Sequence, residues 1–194
     1  MPQRVNKKTE VQQIKNSQEN QEKKGSFFAN PSAKALCRVG VIAALYVALN
    51  YLLQPFSFGI LQCRVSEALT VLPLLFPEAV PALFVGCAIS NLIGNGIYDI
   101  ILGSLATLIA AVGTYLVGRF IKNKYLKFTL GGLFPVILNA LAVPLIFILC
   151  GTNENAYIID VLIIGGEEAA VVYTFGAALF FPVYTRISKY TSNC

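Results

Sequence analysis

Gln62-Cys63-Arg64-Val65-Ser66-Glu67-Ala68-Leu69-Thr70 puts an arginine and a glutamate at the head of an apolar run that continues to Phe76. Three residues apart, Arg64 and Glu67 share one face of a helix. Around them the chain is almost without charge. Of its 194 residues, 56% are hydrophobic and 13% charged, where a soluble domain has about 25% charged residues. Most of the remainder is apolar segments of about 20 residues, the length that crosses a bilayer. The composition therefore reads as an all-α integral membrane protein. In such a chain an ionisable group at membrane depth is costly unless it is paired or lines a polar cavity. The stretch is read as the rim and wall of a binding site.

Outward from that stretch, two domains are expected. Residues 1–30 form a polar tail rich in Lys, Gln, Asn and Glu, of a composition that stays disordered, and its first 25 residues lack the apolar core of a signal peptide. Residues 31–194 form the membrane domain. A first span covers about 35–53, followed by a loop over 54–62. The run from 64 to 91 is too long for one crossing. It breaks at Phe76-Pro77-Glu78, because the residue before a proline resists helix, which gives short helices over about 64–75 and 78–91. Further spans are expected over 99–120, 128–150 and 157–186, making six transmembrane helices.

The basic residues alternate with this pattern. With the N-terminus inside, the cytoplasmic side receives the eight Lys and Arg of residues 1–38, then Arg119, Lys122, Lys124 and Lys127, then Arg186 and Lys189. Arg64 is the exception. The positive-inside rule thus predicts a multi-pass protein of the cell membrane with both termini cytoplasmic, and a polar site that opens outward.

Composition also excludes chemistry. There is no His and no Trp, so His-based metal sites and Ser/His or Cys/His nucleophilic pairs are absent. No catalytic or metal-ligating residue is expected, and the chain is not read as an enzyme. The five cysteines show no CxxC spacing and read as small core residues. There is no GxxxxGK[ST] sequence, so pumping would draw on partner ATPases or on an ion gradient. No cofactor is expected on this chain.

The candidate acids are Glu67, Asp99, Glu167 and Glu168, with Arg64 as the intramembrane base. Gln62, Ser66, Thr70, Asn91, Asn95, Tyr98, Ser104 and Asn139 supply neutral donors and acceptors. An acid excess suits a ligand rich in N–H groups, including a cation. A carboxylate takes two parallel hydrogen bonds from an amidine-like edge, a strong and specific contact. Structural readings stand beside these. Arg64 and Glu67 could form an internal ion pair, and Asp99 could cap its helix. Adjacent glutamates point about 100° apart on a helix, so one of Glu167 and Glu168 faces the cavity while the other is protonated or reaches water. In the first span Ala44 and Ala48 place small residues four apart, a spacing that lets helices approach closely, within the chain or against a partner.

Arg64-Val-Ser-Glu-Ala-Leu-Thr70, Leu72-Pro73, Leu83-Phe-Val-Gly-Cys87, Asn91-Leu92, Asp99 and Gly103-Ser-Leu-Ala-Thr-Leu108 together resemble the QueT family. These are substrate-binding S components of energy-coupling factor (ECF) transporters, linked to queuosine precursors. The resemblance covers about residues 35–187. It departs from the family pattern at Glu167, which occupies the position of a family glycine, so Glu168 is the better candidate for a ligand contact. The resemblance implies an ECF S-component-like bundle that binds a 7-deazaguanine, such as queuine or 7-aminomethyl-7-deazaguanine. It further implies docking, through Ala44 and Ala48, on a T component driven by two ATPase subunits that use the ATP. The implied substrate contacts are Glu67, Arg64, Gln62, Asn91, Asn95, Tyr98, Asp99, Asn139 and Glu168, with Tyr98 or Phe58 stacking on the ring. Glu67 would take the guanine edge and Glu168 or Asp99 the amine. No nucleic-acid partner is expected. A stand-alone proton-coupled carrier of a small cationic or nucleobase-like solute, using Asp99 or Glu67, is the competing reading.

Overall fold

The computed structural model describes residues 32–53, 64–94, 96–152 and 155–192, the last five of these as backbone only. The expected disordered tail and the whole 54–62 loop, with Phe58 and Gln62, fall outside them, as does Asn95. Among the described residues there are six helices and no strand. Helix α1 is Ala33–Leu52. A 3-10 helix follows over Val65–Leu74, then α2 over Ala79–Gly94. A π-helical turn, Asp99–Gly103, runs directly into α3, Ser104–Phe120. Helices α4 and α5 are Lys124–Cys150 and Tyr157–Ser192. Three segments are long and apolar enough to cross a membrane, namely α1, Asp99–Phe120 and α4. The chain is an all-α membrane bundle. Its main compact unit begins at Arg38, and the packing below belongs to that unit.

The expected break falls where the proline rule put it. The 3-10 helix stops at Leu74, Pro77 and Glu78 form a turn, and α2 starts at Ala79. Helix α4 begins four residues before the expected Phe128, because the Asn123 side chain caps it, accepting from the Tyr125 N–H at 3.1 Å. It ends at Gly151, whose φ of 70° is costly for any side-chain-bearing residue. The Thr152 N–H reaches the Phe147 carbonyl at 2.9 Å across that turn. Two prolines lie within α4, at 135 and 144. Pro135 has no N–H to offer the Gly131 carbonyl four residues back. Thr114 of α3 supplies the missing donor, with Oγ1 to the Gly131 oxygen at 3.0 Å.

The 3-10 helix is the axis of the bundle, buried from Ser66 to Leu74. With three residues per turn, its side chains stack in three straight edges. Ser66, Leu69 and Leu72 make one edge. Its apolar members join Tyr46 of α1, Leu83 and Cys87 of α2, and Ala111 of α3. Ala68, Val71 and Leu74 make the second, where Val71 and Leu74 pack with Phe128, Val172 and Phe180 of α4 and α5. That edge lies close against glycines. A Cβ on Gly176 would stand 2.9 Å from Val71, and one on Gly118 would stand 2.8 Å from the Leu74 backbone. Arg64, Glu67 and Thr70 make the third edge, the only charged one.

Candidate binding site

Glu67 is 2% exposed, although it sits in the middle of an apolar bundle. Its Oε1 accepts a hydrogen bond from the Tyr46 hydroxyl at 2.6 Å. Its Oε2 is buried with no hydrogen-bond partner among the described residues. One turn on, Thr70 turns back and donates Oγ1 to the Glu67 carbonyl at 2.5 Å. Thr70 thereby satisfies the backbone and leaves the carboxylate to face its neighbours.

Those neighbours come from three helices. Asn139, on the inner face of α4, donates Nδ2 to Glu168 Oε1 of α5 at 2.9 Å, and it stands beside Glu67 as well. Glu168 lies within electrostatic reach of Glu67, Arg64 and Glu167. The half-buried Arg64 guanidinium acts on Tyr46, Glu67 and Asp99. No carboxylate among the described residues lies within the 4.0 Å of a salt bridge to it. The internal Arg64–Glu67 ion pair weighed above is therefore not formed as a direct contact. Two acids, one guanidinium and one carboxamide converge on the head of the 3-10 helix. Of the adjacent glutamates, Glu168 is buried and Glu167 half-buried, as their 100° separation requires.

The remaining candidates sit around this group with different duties. Asn91 is buried, and its Nδ2 donates to the Asp99 carbonyl at 2.8 Å and to Cys87 Sγ at 3.4 Å. Its amide thus ties α2 to the π-turn. Gly103 lets this happen, since a Cβ there would stand 3.0 Å from Asn91 Nδ2. Asp99 opens the π-turn from within the helix, so the capping role weighed above is not taken up. The helix already starts at Ile97. Tyr98, the residue before Asp99, is 45% exposed. The Ser104 hydroxyl at the π-to-α junction is buried without a partner among the described residues. Single-turn π segments inside α-helices recur at functional sites. Ala44 and Ala48 are exposed on α1, while Ala43 and Tyr46 of the same helix are buried.

Two residues at this site were not singled out in the sequence. Tyr46 holds Glu67. Asn50, one turn further along α1, donates Nδ2 to Ser90 Oγ of α2 at 2.8 Å and accepts from Ser66 Oγ at 2.7 Å. The signal was available: Tyr46 and Asn50 are polar at a spacing of four in the largely apolar part of α1 that follows Arg38, so they share a face. Among the described residues no group of three or more Cys, Asp or Glu is placed to hold a metal ion.

A curated relative named queuosine precursor transporter QueT, from Lactococcus lactis subsp. cremoris (strain MG1363), is 37% identical over 90 residues, 45% of this chain and 53% of that protein. The matched stretch thus spans about half the length of the relative. No solved structure matches the chain. The family model described as QueT transporter matches residues 36–185, which reaches into every helix from α1 to α5 and includes Arg64, Glu67, Asn139 and Glu168, and the chain belongs to the QueT transporter family.

Proposed function

We propose that this protein is the substrate-binding S component of an ATP-powered ECF importer, and that it captures a 7-deazaguanine queuosine precursor from outside the cell. The observation that carries the reading is the convergence of Glu67 and Glu168 with Arg64 and Asn139, with Glu67 Oε2 left without a partner among the described residues. A 7-deazaguanine presents N1–H and a 2-amino group side by side, the edge a carboxylate accepts most strongly. Queuine and 7-aminomethyl-7-deazaguanine add a protonated amine. The site holds more acids than bases, so a second carboxylate is available for that amine. Glu67 takes the guanine edge and Glu168 or Asp99 takes the amine, while the exposed Tyr98 ring stacks on the heterocycle. Gln62 and Asn91 or Asn95 bond the 6-oxo group or the ring nitrogens.

Delivery inward requires partners. Ala44 and Ala48 leave a shallow, small-residue strip on the exposed side of α1, the surface shape that lets another helix approach closely. A T component docks there, coupled to two ATPase subunits, and both termini of this chain face the cytoplasm. Ala44→Trp with Ala48→Trp is expected to abolish uptake and spare binding by the isolated protein. Loss of binding would instead make the strip an internal contact.

The deciding experiment is thermal stabilisation of the purified protein by guanine, queuine, 7-aminomethyl-7-deazaguanine, its nitrile analogue, queuosine, riboflavin and biotin. Stabilisation confined to the deazaguanines is expected. Stabilisation by a vitamin, or by none of the deazaguanines, overturns the reading. Uptake into vesicles that lack the ATPases, driven by a proton gradient, would assign the protein as a secondary carrier instead.

A further inference from the structure

We infer that Tyr46 is a positioning residue for the ligand-binding carboxylate of Glu67: by occupying one lone pair of Oε1 it fixes the carboxylate plane, so that the unpartnered Oε2 and the remaining lone pair of Oε1 face the ligand edge together. The inference rests on the reading of Glu67 as a substrate contact. It starts from an asymmetry within one carboxylate. Oε1 has a donor at 2.6 Å, and the buried Oε2 has none in hydrogen-bond geometry among the described residues, the Asn139 carboxamide beside Glu67 donating to Glu168 Oε1 at 2.9 Å. The torsion that turns a glutamate carboxylate is broad and roughly two-fold, so an unheld Glu67 would present either oxygen at many angles. A donor on one oxygen removes that freedom before the ligand arrives, which is how preorganisation raises affinity.

Tyr46 is built to hold still. Its side chain is fully buried. Helix α2 packs directly on it at Gly86, where a Cβ would come within 3.0 Å of Tyr46 Cβ, 3.2 Å of its Cγ and 3.2 Å of the Ala43 carbonyl. One turn away, Asn50 ties α1 to Ser66 of the 3-10 helix and to Ser90 of α2. The helix that carries the phenol and the helix that carries the acid are thus joined at two points. One is the Tyr46–Glu67 bond itself, and the other fixes the spacing independently of it. Phenylalanine would fill the same space and leave the Asn50 links intact. What it would remove is the single hydroxyl on Oε1.

The test is a double-mutant cycle on the full chain, purified and titrated with 7-aminomethyl-7-deazaguanine. Tyr46→Phe is expected to weaken binding about tenfold in the wild-type background and less than twofold in the Glu67→Gln background, because its effect acts through the carboxylate. An equal loss in both backgrounds makes Tyr46 a packing residue and overturns the inference while leaving Glu67 in the site. Wild-type affinity in Glu67→Gln overturns both the inference and the site reading. Tyr46→Met, which fills space flexibly without a hydroxyl, runs the same cycle if the phenylalanine variant does not fold.

Discussion

The two ends of the 3-10 helix are built on opposite plans. At its foot, Val71 and Leu74 lie against glycines of α3, α4 and α5, with every contact apolar or backbone. At its head, Arg64 and Glu67 meet Tyr46, Asn139 and Glu168, and one carboxylate oxygen has no hydrogen-bond partner among the described residues. Packing of the first kind fixes where the helix stands, since interiors of this density tolerate no added volume. Polar groups of the second kind are expensive to bury and contribute little to holding the bundle together. On the proposed function, the foot secures the position from which the head would serve recognition.

Substitutions can separate the two plans. The largest effect is expected from Gly118→Val. The added side chain meets the Leu74 backbone at 2.8 Å, and backbone cannot rotate away, so the cost is about 3 kcal/mol, read as a lower unfolding midpoint. Unchanged stability would mean that the foot is loosely held. Next comes Glu67→Gln at the head. Ligand binding should weaken at least tenfold, about 1.4 kcal/mol, with the midpoint nearly unmoved. A drop in stability without loss of affinity would make the head structural too. The smallest effect is expected from Gly131→Ala. Its Cβ would meet the Leu74 side chain, Cδ2 nearest and Cδ1 and Cγ at 3.1 Å, a flexible group that can shift. An alanine also favours helix over glycine by about 1 kcal/mol, so the two terms nearly cancel. A loss as large as that of Gly118→Val would show that Leu74 is held as rigidly in its side chain as in its backbone.

Much of this was legible in the sequence, for physical reasons that can be named. The break at Phe76-Pro77-Glu78 is a local steric matter, and local sterics are written in adjacent residues. The buried Glu168 and the half-buried Glu167 follow from helical spacing and from Glu167 standing at a family glycine. The type of the central helix was not legible. Arg64, Glu67 and Thr70 share a face at a spacing of three in an α-helix and eclipse one another in a 3-10 helix, so one pattern fits both periods. Tyr46 was passed over because its partner lies 21 residues away, and only packing reveals that pair. Asn91 has a structural duty that its letter does not show, its Nδ2 serving the Asp99 carbonyl. A carboxamide at a cavity rim and one stapling two helices look alike in a string of letters.

The central helix also bears on how the protein is made. Ten residues at about 2.0 Å each reach roughly 20 Å, short of the roughly 30 Å hydrocarbon core. On length alone, the insertion machinery has little reason to treat Val65–Leu74 as a crossing. Its i→i+3 hydrogen bonds have poorer geometry than those of an α-helix, so it gains little from forming alone in lipid. It is stable because α3, α4 and α5 close around it, and all three are synthesised after it. The segment that carries Glu67 therefore waits on later parts of the chain for its shape, and a truncation before α5 removes the site along with the helix.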